Sequence, residues 1–209
     1  MDNTMKKTYL WWMIFLLAEC LIVYLFQYRF DQKLVYLGVI GGIYLFANIV
    51  WLKPKRKSLF INGIIFLISI TMIGMLVATY LSFLMIVSMG VAVSIVDVLS
   101  FTRFGQKTAN AKAMSNPDLV YKLLIYGKGK GDTLYPTYGL GDCFYYALWM
   151  SGLSNSIQEM LLLELAILLG SVVNMLIVQI TYKRPGYKGL PGIPIPYICV
   201  LIVFLLQRI

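Results

Sequence analysis

The sequence predicts an all-α, polytopic membrane protein. Of its 209 residues, 60% are hydrophobic in the broad sense, mean hydropathy is +0.79, and apolar runs of membrane length alternate with short basic clusters. A soluble domain of this size cannot hide so much apolar surface in one core, so lipid is the solvent for most of the chain.

A spanning helix needs about 20 apolar residues. On that measure the chain divides into seven spans, near Tyr9–Phe26, Leu34–Leu52, Leu59–Val77, Thr79–Phe101, Thr137–Leu153, Glu159–Tyr182 and Pro191–Leu206. The first follows Lys6 and Lys7 as a signal peptide would, but the apolar stretch from Thr8 to Phe26 is too long and has no small-x-small cleavage site. It reads as an uncleaved span. The third and fourth spans share one apolar block, Leu59 to Phe101, whose turn is expected near Ala78–Ser82.

The gaps carry the charge. With the N-terminus cytoplasmic, the inside segments hold Lys6, Lys7, Lys53, Lys55, Arg56, Lys57, Arg103, Lys107, Lys112, Lys122, Lys128, Lys130, Lys183, Arg184 and Lys188, which is fifteen of the eighteen basic residues. Only Arg29, Lys33 and Arg208 fall outside, as the positive-inside rule requires of seven spans with the C-terminus on the opposite side. The net charge of +9 is therefore a topology signal and not a nucleic-acid surface.

The absence of histidine removes zinc proteases built on H-E-x-x-H, Ser-His dyads and imidazole-ligated haem. Cys20, Cys143 and Cys199 lie in apolar runs without C-x-x-C spacing, so they read as small buried hydrophobes. No metal or cofactor is expected. The long polar stretch from Thr102 to Pro136 contains Ser115-Asn116-Pro117-Asp118 and Gly127-Lys128-Gly129-Lys130-Gly131, but no phosphate-loop pattern. It reads as a mobile cytoplasmic loop, in which Leu119–Tyr126 suits a strand or an interfacial helix equally.

Carboxyls at membrane depth are costly unless paired or functional. Glu19, mid-span, and Glu164, near the outer end of its helix, read as structural. Asp97 and Asp142 differ because their depths agree. Asp97 precedes Arg103 by six residues on an inward-running helix, and Asp142 follows Thr137 by five on the next, outward-running one. At 1.5 Å per residue both lie roughly 8 Å below the cytoplasmic boundary. Two carboxyls held close in a low dielectric share a proton, so one can deprotonate a water while the other protonates a scissile carbonyl. By spacing alone, a carboxyl pair that serves only helix packing, or one that lines a cation path, fits as well.

The neighbouring residues add to this. Gly139-Leu140-Gly141-Asp142 sets two glycines ahead of the carboxyl, permitting close approach of another backbone. The last span opens Gly189-Leu190-Pro191-Gly192-Ile193-Pro194-Ile195-Pro196, level with the aspartates, where three prolines are expected to forbid a regular helix.

In these features the sequence resembles the presenilin and signal-peptide-peptidase group of intramembrane aspartyl proteases. Gly139–Asp142 matches the group's GxGD motif and Asp97 takes the place of its other catalytic aspartate. Pro191-Gly192-Ile193, followed by Pro194, stands where the group has Pro-Ala-Leu and a proline. The order also matches: aspartate, long hydrophilic loop, GxGD, one span, proline motif. The resemblance covers the last four spans, and two N-terminal spans of the group have no counterpart. Val96 replaces the group's tyrosine before the first aspartate. The resemblance implies a presenilin-like arrangement of about seven helices and hydrolysis within transmembrane substrates by Asp97 and Asp142. It also implies substrate contact through Gly139, Leu140, Gly141, Pro191, Gly192, Ile193 and Pro194. Expected partners are the bilayer and transmembrane-helix substrates, with no obligate partner subunit. Prepilin peptidases also use GxGD but lack the later proline motif; a cation channel or transporter using both aspartates is the non-enzymatic alternative.

Overall fold

A computed structural model describes residues 3–29, 34–50, 58–102, 112, 116, 122–129, 131, 133–181 and 191–208. The basic clusters at 53–57 and 183–188, Gly189 and Leu190, and most of the 103–121 loop lie outside them. Seven helices are described: α1 (Asn3–Arg29), α2 (Leu34–Val50), α3 (Leu59–Tyr80), α4 (Phe83–Ser100), α5 (Leu140–Gly152), α6 (Ile157–Thr181) and α7 (Pro194–Leu206). Strands β1 (Leu124–Lys128) and β2 (Leu134–Gly139) lie between α4 and α5.

Four stretches, Thr4–Tyr28, Leu59–Tyr80, Phe83–Ser100 and Ile157–Thr181, are long and apolar enough to cross a membrane, which makes the chain a helical membrane protein. Its surface is that of a lipid-facing protein. Leu10, Leu17 and Leu21 of α1 and Leu161, Leu165, Leu169 and Leu176 of α6 all point outward. On α1 the inward stripe is Trp12, Phe15, Leu16, Glu19, Cys20 and Val23, spaced at i, i+3, i+4, i+7, i+8 and i+11. The turn between α3 and α4 falls at Leu81 and Ser82, within the expected window, and the Ser82 hydroxyl caps α4 by accepting from the Met85 amide at 3.4 Å.

Three expectations need correction. The span expected at Thr137–Leu153 is a 13-residue helix that starts at Leu140, about 20 Å long. It does not need membrane length, because it is the core: Ala147, Leu148, Trp149 and Met150 are fully buried, so neighbouring helices rather than lipid surround it. The span expected from Pro191 starts as a helix at Pro194. Its prolines delay the helix without forbidding it, since Pro194 and Pro196 occupy the first turn, where an N–H would have no intrahelical acceptor anyway.

The third correction is that the chain is not wholly helical. Part of the stretch expected to be a mobile loop is a hairpin packed against α1 and α3. Leu124 pairs with Gly139, Ile125 with Tyr138 and Tyr126 with Pro136, so Thr137 is a bulged residue. The bulge has a local cause. Pro136 offers no N–H to the ladder, and at the bulge the Thr137 hydroxyl accepts from the Gly127 amide at 3.2 Å and donates to the Tyr135 carbonyl of its own strand at 2.7 Å. Gly131, at φ 66°, makes the reversal between the strands.

Helix α4 is the least embedded of the long helices; only Ile86 and Gly90 are buried. It is held chiefly by α7. The Tyr197 ring lies against Gly90, its hydroxyl donates to the Val87 carbonyl at 2.6 Å, and Phe83 stacks on Phe204 with centroids 5.2 Å apart. A side chain at position 90 would land on the Tyr197 ring. Gly90→Val is therefore expected to lower unfolding free energy by about 1–3 kcal/mol. Gly141→Ala, whose methyl meets nothing within 4 Å, is expected to change it by less than about 1 kcal/mol. Unfolding of both variants in mixed micelles, followed by circular dichroism, checks the contrast.

Candidate active site

Asp97 lies one turn from the end of α4, and Asp142 lies in the first turn of α5. Both are partly buried and line one cavity of about 560 Å³. The rest of its wall comes from α4 (Val93, Val96, Phe101), the hairpin region (Leu123, Leu124, Pro136, Thr137, Gly139), the start of α5 (Leu140, Gly141, Tyr145) and the turn before α7 (Gly192, Ile193). The wall is mainly apolar apart from the two carboxyls.

The turn at 191–193 joins them. The Ile193 amide donates to Asp97 Oδ2 at 3.1 Å. On the adjacent residue, a Cβ at Gly192 would come within 3.1 Å of Asp142 Oδ1. Asp97 thus binds the Ile193 N–H while Asp142 lies against the Gly192 Cα, so the two carboxyls bracket this short segment. Larger side chains at 192 would press directly on Asp142. Among the described residues no group hydrogen-bonds the Asp142 carboxyl, which also borders a second cavity of about 160 Å³ lined by Tyr9, Tyr146, Ser171 and Asn174.

The glycines of Gly139-Leu140-Gly141 have different roles. At Gly139, the N-cap of α5, a Cβ would stand 2.8 Å from Asp142 Oδ2, so the missing side chain is room for the carboxyl itself. At Gly141 a Cβ would meet open space, and this exposed backbone faces the cavity. Neither glycine has positive φ, so conformational freedom is not the reason for either. Leu140 is buried in the core, and Pro194 is the first residue of α7. Of the nine residues marked in the sequence, Pro194 and Pro191 are outside the larger cavity wall, although Pro191 lines the smaller cavity.

Asn174 of α6, not marked in the sequence, holds the turn in place. Its Nδ2 donates to the Gly192 carbonyl at 2.7 Å and the Pro191 carbonyl at 3.3 Å. The protein thus satisfies these two carbonyls of the proline-rich segment itself. The sequence held the signal, since Asn174 is an amide within a 25-residue apolar helix, and a polar group at that depth requires a partner as an acid does. Thr137 and Tyr145 were also not marked. Among the described residues no group of three His, Cys, Asp or Glu side chains is placed to hold a metal ion.

Fold and site together define a helical membrane protein with two carboxyls facing one cavity. No family model matches the sequence, and no curated protein matches it.

Removing the Asn174 amide strands two carbonyls of a turn packed inside the bundle. Asn174→Ala is expected to lower stability by about 1–3 kcal/mol. Asn174→Asp, which turns a carboxyl oxygen toward the same carbonyls, is expected to lower it further. Paired melting curves of the two variants test the order, and equal stability of Asn174→Asp and wild type would refute the role given to the amide.

Proposed function

We propose that the chain is an intramembrane aspartyl protease of the presenilin and signal-peptide-peptidase kind, cutting peptide bonds within or near transmembrane segments. The observation that carries this reading is the shared cavity: Asp97 and Asp142 come from successive helices and bracket the Gly192–Ile193 segment. Seven crossings with a cytoplasmic N-terminus belong to the same proposal, supported by the basic residues that fall between alternate spans.

A substrate helix in lipid has its peptide groups bonded and hidden, so it must unwind before hydrolysis. The cavity gives the freed backbone a place beside the hairpin and the exposed Gly141, where strand addition satisfies its amides. The ionised carboxyl of the pair takes a proton from water as the water oxygen bonds to the scissile carbon. The protonated carboxyl gives its proton to the carbonyl oxygen, forming a gem-diol. Collapse breaks the C–N bond as the nitrogen gains a proton, leaving a carboxylic acid and an amine. No covalent enzyme intermediate forms. The apolar wall formed by Val93, Val96, Leu123, Leu124 and Ile193 suits the side chains of a transmembrane segment.

The test is cleavage of a model transmembrane substrate by purified protein in detergent or liposomes. Wild type is expected to cleave, and Asp97→Asn and Asp142→Asn are each expected to lower the rate by at least about a thousandfold. Failure of wild type to cleave, or cleavage by either variant at more than about a thousandth of the wild-type rate, overturns the reading. Cation flux that needs both aspartates, without peptide cleavage, would indicate a channel or transporter instead.

A further inference from the structure

Glu19 is the one acidic group on the inward stripe of α1, and it is fully buried. One carboxyl oxygen, Oε2, accepts a hydrogen bond from the Tyr138 hydroxyl. The Cys143 thiol stands beside the same carboxyl. Tyr138 is the residue before Gly139, and Cys143 is the residue after Asp142. Glu19 therefore touches both ends of the Gly139–Asp142 segment from a helix that contributes nothing to the larger cavity wall.

The surroundings make this a rigid contact. Trp12, two turns before Glu19, meets the Tyr138 ring edge-on at 6.3 Å, and Tyr146 packs on the same ring at 6.0 Å. Further up α1, Trp11 lies against Gly127 and donates from Nε1 to the Lys128 carbonyl at 2.9 Å, so α1 grips the hairpin at both ends. A buried carboxyl with no cation beside it among the described residues is a costly choice at a stripe position where leucine would pack. Stability does not account for it.

We propose that Glu19 is a positioning residue for Asp142: its bond to Tyr138 fixes where β2 ends and α5 begins, and so where the Asp142 carboxyl points. This rests on the protease reading for its effect on rate. The contact itself can be tested without that reading.

The full chain is used, as Glu19→Gln, Glu19→Leu, Tyr138→Phe and the Glu19→Leu/Tyr138→Phe double variant, with cleavage of the model substrate as the first readout. Glutamine keeps the oxygen that accepts from Tyr138, so Glu19→Gln is expected to stay within about twofold of wild type. Glu19→Leu and Tyr138→Phe are each expected to lower kcat about 10- to 100-fold at unchanged KM, as small misplacements of a reacting group do. The double variant is expected to be no slower than the slower single one.

The second readout is the alkylation rate of Cys143 by N-ethylmaleimide in a Cys20→Ala/Cys199→Ala background. It is expected to rise at least about fivefold in Glu19→Leu and Tyr138→Phe and to stay at the wild-type rate in Glu19→Gln. Melting temperatures are expected to change little in Glu19→Leu, where an apolar side chain replaces a buried acid. Loss of activity in Glu19→Gln equal to that in Glu19→Leu overturns the proposal in favour of proton exchange. Additive losses, unchanged rates, or losses matched by unfolding in both single variants also overturn it. If wild type cleaves nothing, the protease reading fails, and unchanged labelling in Glu19→Leu is then the result that refutes the contact.

Discussion

The organisation of the site depends on one short turn whose backbone is satisfied from two sides. Residues 191–193 leave regular structure inside a protein whose solvent is lipid, where each unmet N–H or C=O costs several kcal/mol by order of magnitude. Asn174 takes the two carbonyls and Asp97 takes the Ile193 amide. One hydrogen-bonded turn thereby ties α6 to α4 across the start of α7. Gly192 leaves the space on the remaining side, and Asp142 fills it. A catalytic role asks that both carboxyls be held near each other without ion pairing; this turn does so using backbone groups.

The two carboxyls are held with unequal firmness. Asp142 begins α5, the helix that the others enclose, and Trp149 of that helix packs on Tyr197 with centroids 5.1 Å apart. Asp97 is on α4, whose outer face presents Leu84, Met85, Val91 and Ile95 and whose inner face rests on Tyr197 through Gly90. Tyr197 thus bears on both helices, and it lies one turn after the segment that the carboxyls bracket. Displacing α7 would move Asp97 more than Asp142. On the protease reading, that asymmetry places the adjustable wall of the cavity on the side nearest lipid, from which a transmembrane substrate arrives.

Much of this was legible because lipid imposes a length rule on helices. Runs such as Leu59–Tyr80 and Ile157–Thr181 announce themselves, and so does the turn at Leu81–Ser82 between two such runs. The residue count that paired Asp97 with Asp142 assumed a helix from Thr137, which is strand in the structure, yet the two carboxyls do line one cavity. The hairpin was legible only in part: Leu119–Tyr126 suited a strand as well as a helix, but Gly127, Gly129 and Pro136 read as breakers when the Thr137 hydroxyl bonds are unseen. The length of α5 was not legible either, since shielding by other helices relaxes the length rule and only tertiary structure reveals shielding. Glu19 looked solitary because Tyr138 lies 119 residues away in sequence, with the hairpin fold needed to bring the two together.

Val96 takes on a different meaning in three dimensions. In the group that the sequence resembles, a tyrosine precedes the first aspartate; here Val96 lines the cavity beside Asp97 without a hydroxyl. The α5 helix supplies tyrosines of its own. Tyr145 lines the larger cavity, and Tyr146 lines the smaller one with its hydroxyl 3.3 Å from Ser171. Asp142 borders both cavities, so tyrosines line the site from the firmly held helix instead of from α4. On the protease reading, the two carboxyls need their polar neighbours fixed more than they need them on a particular helix. Here α5 is the better-anchored support, because its buried face is fixed by the core while α4 depends on α7 for its position.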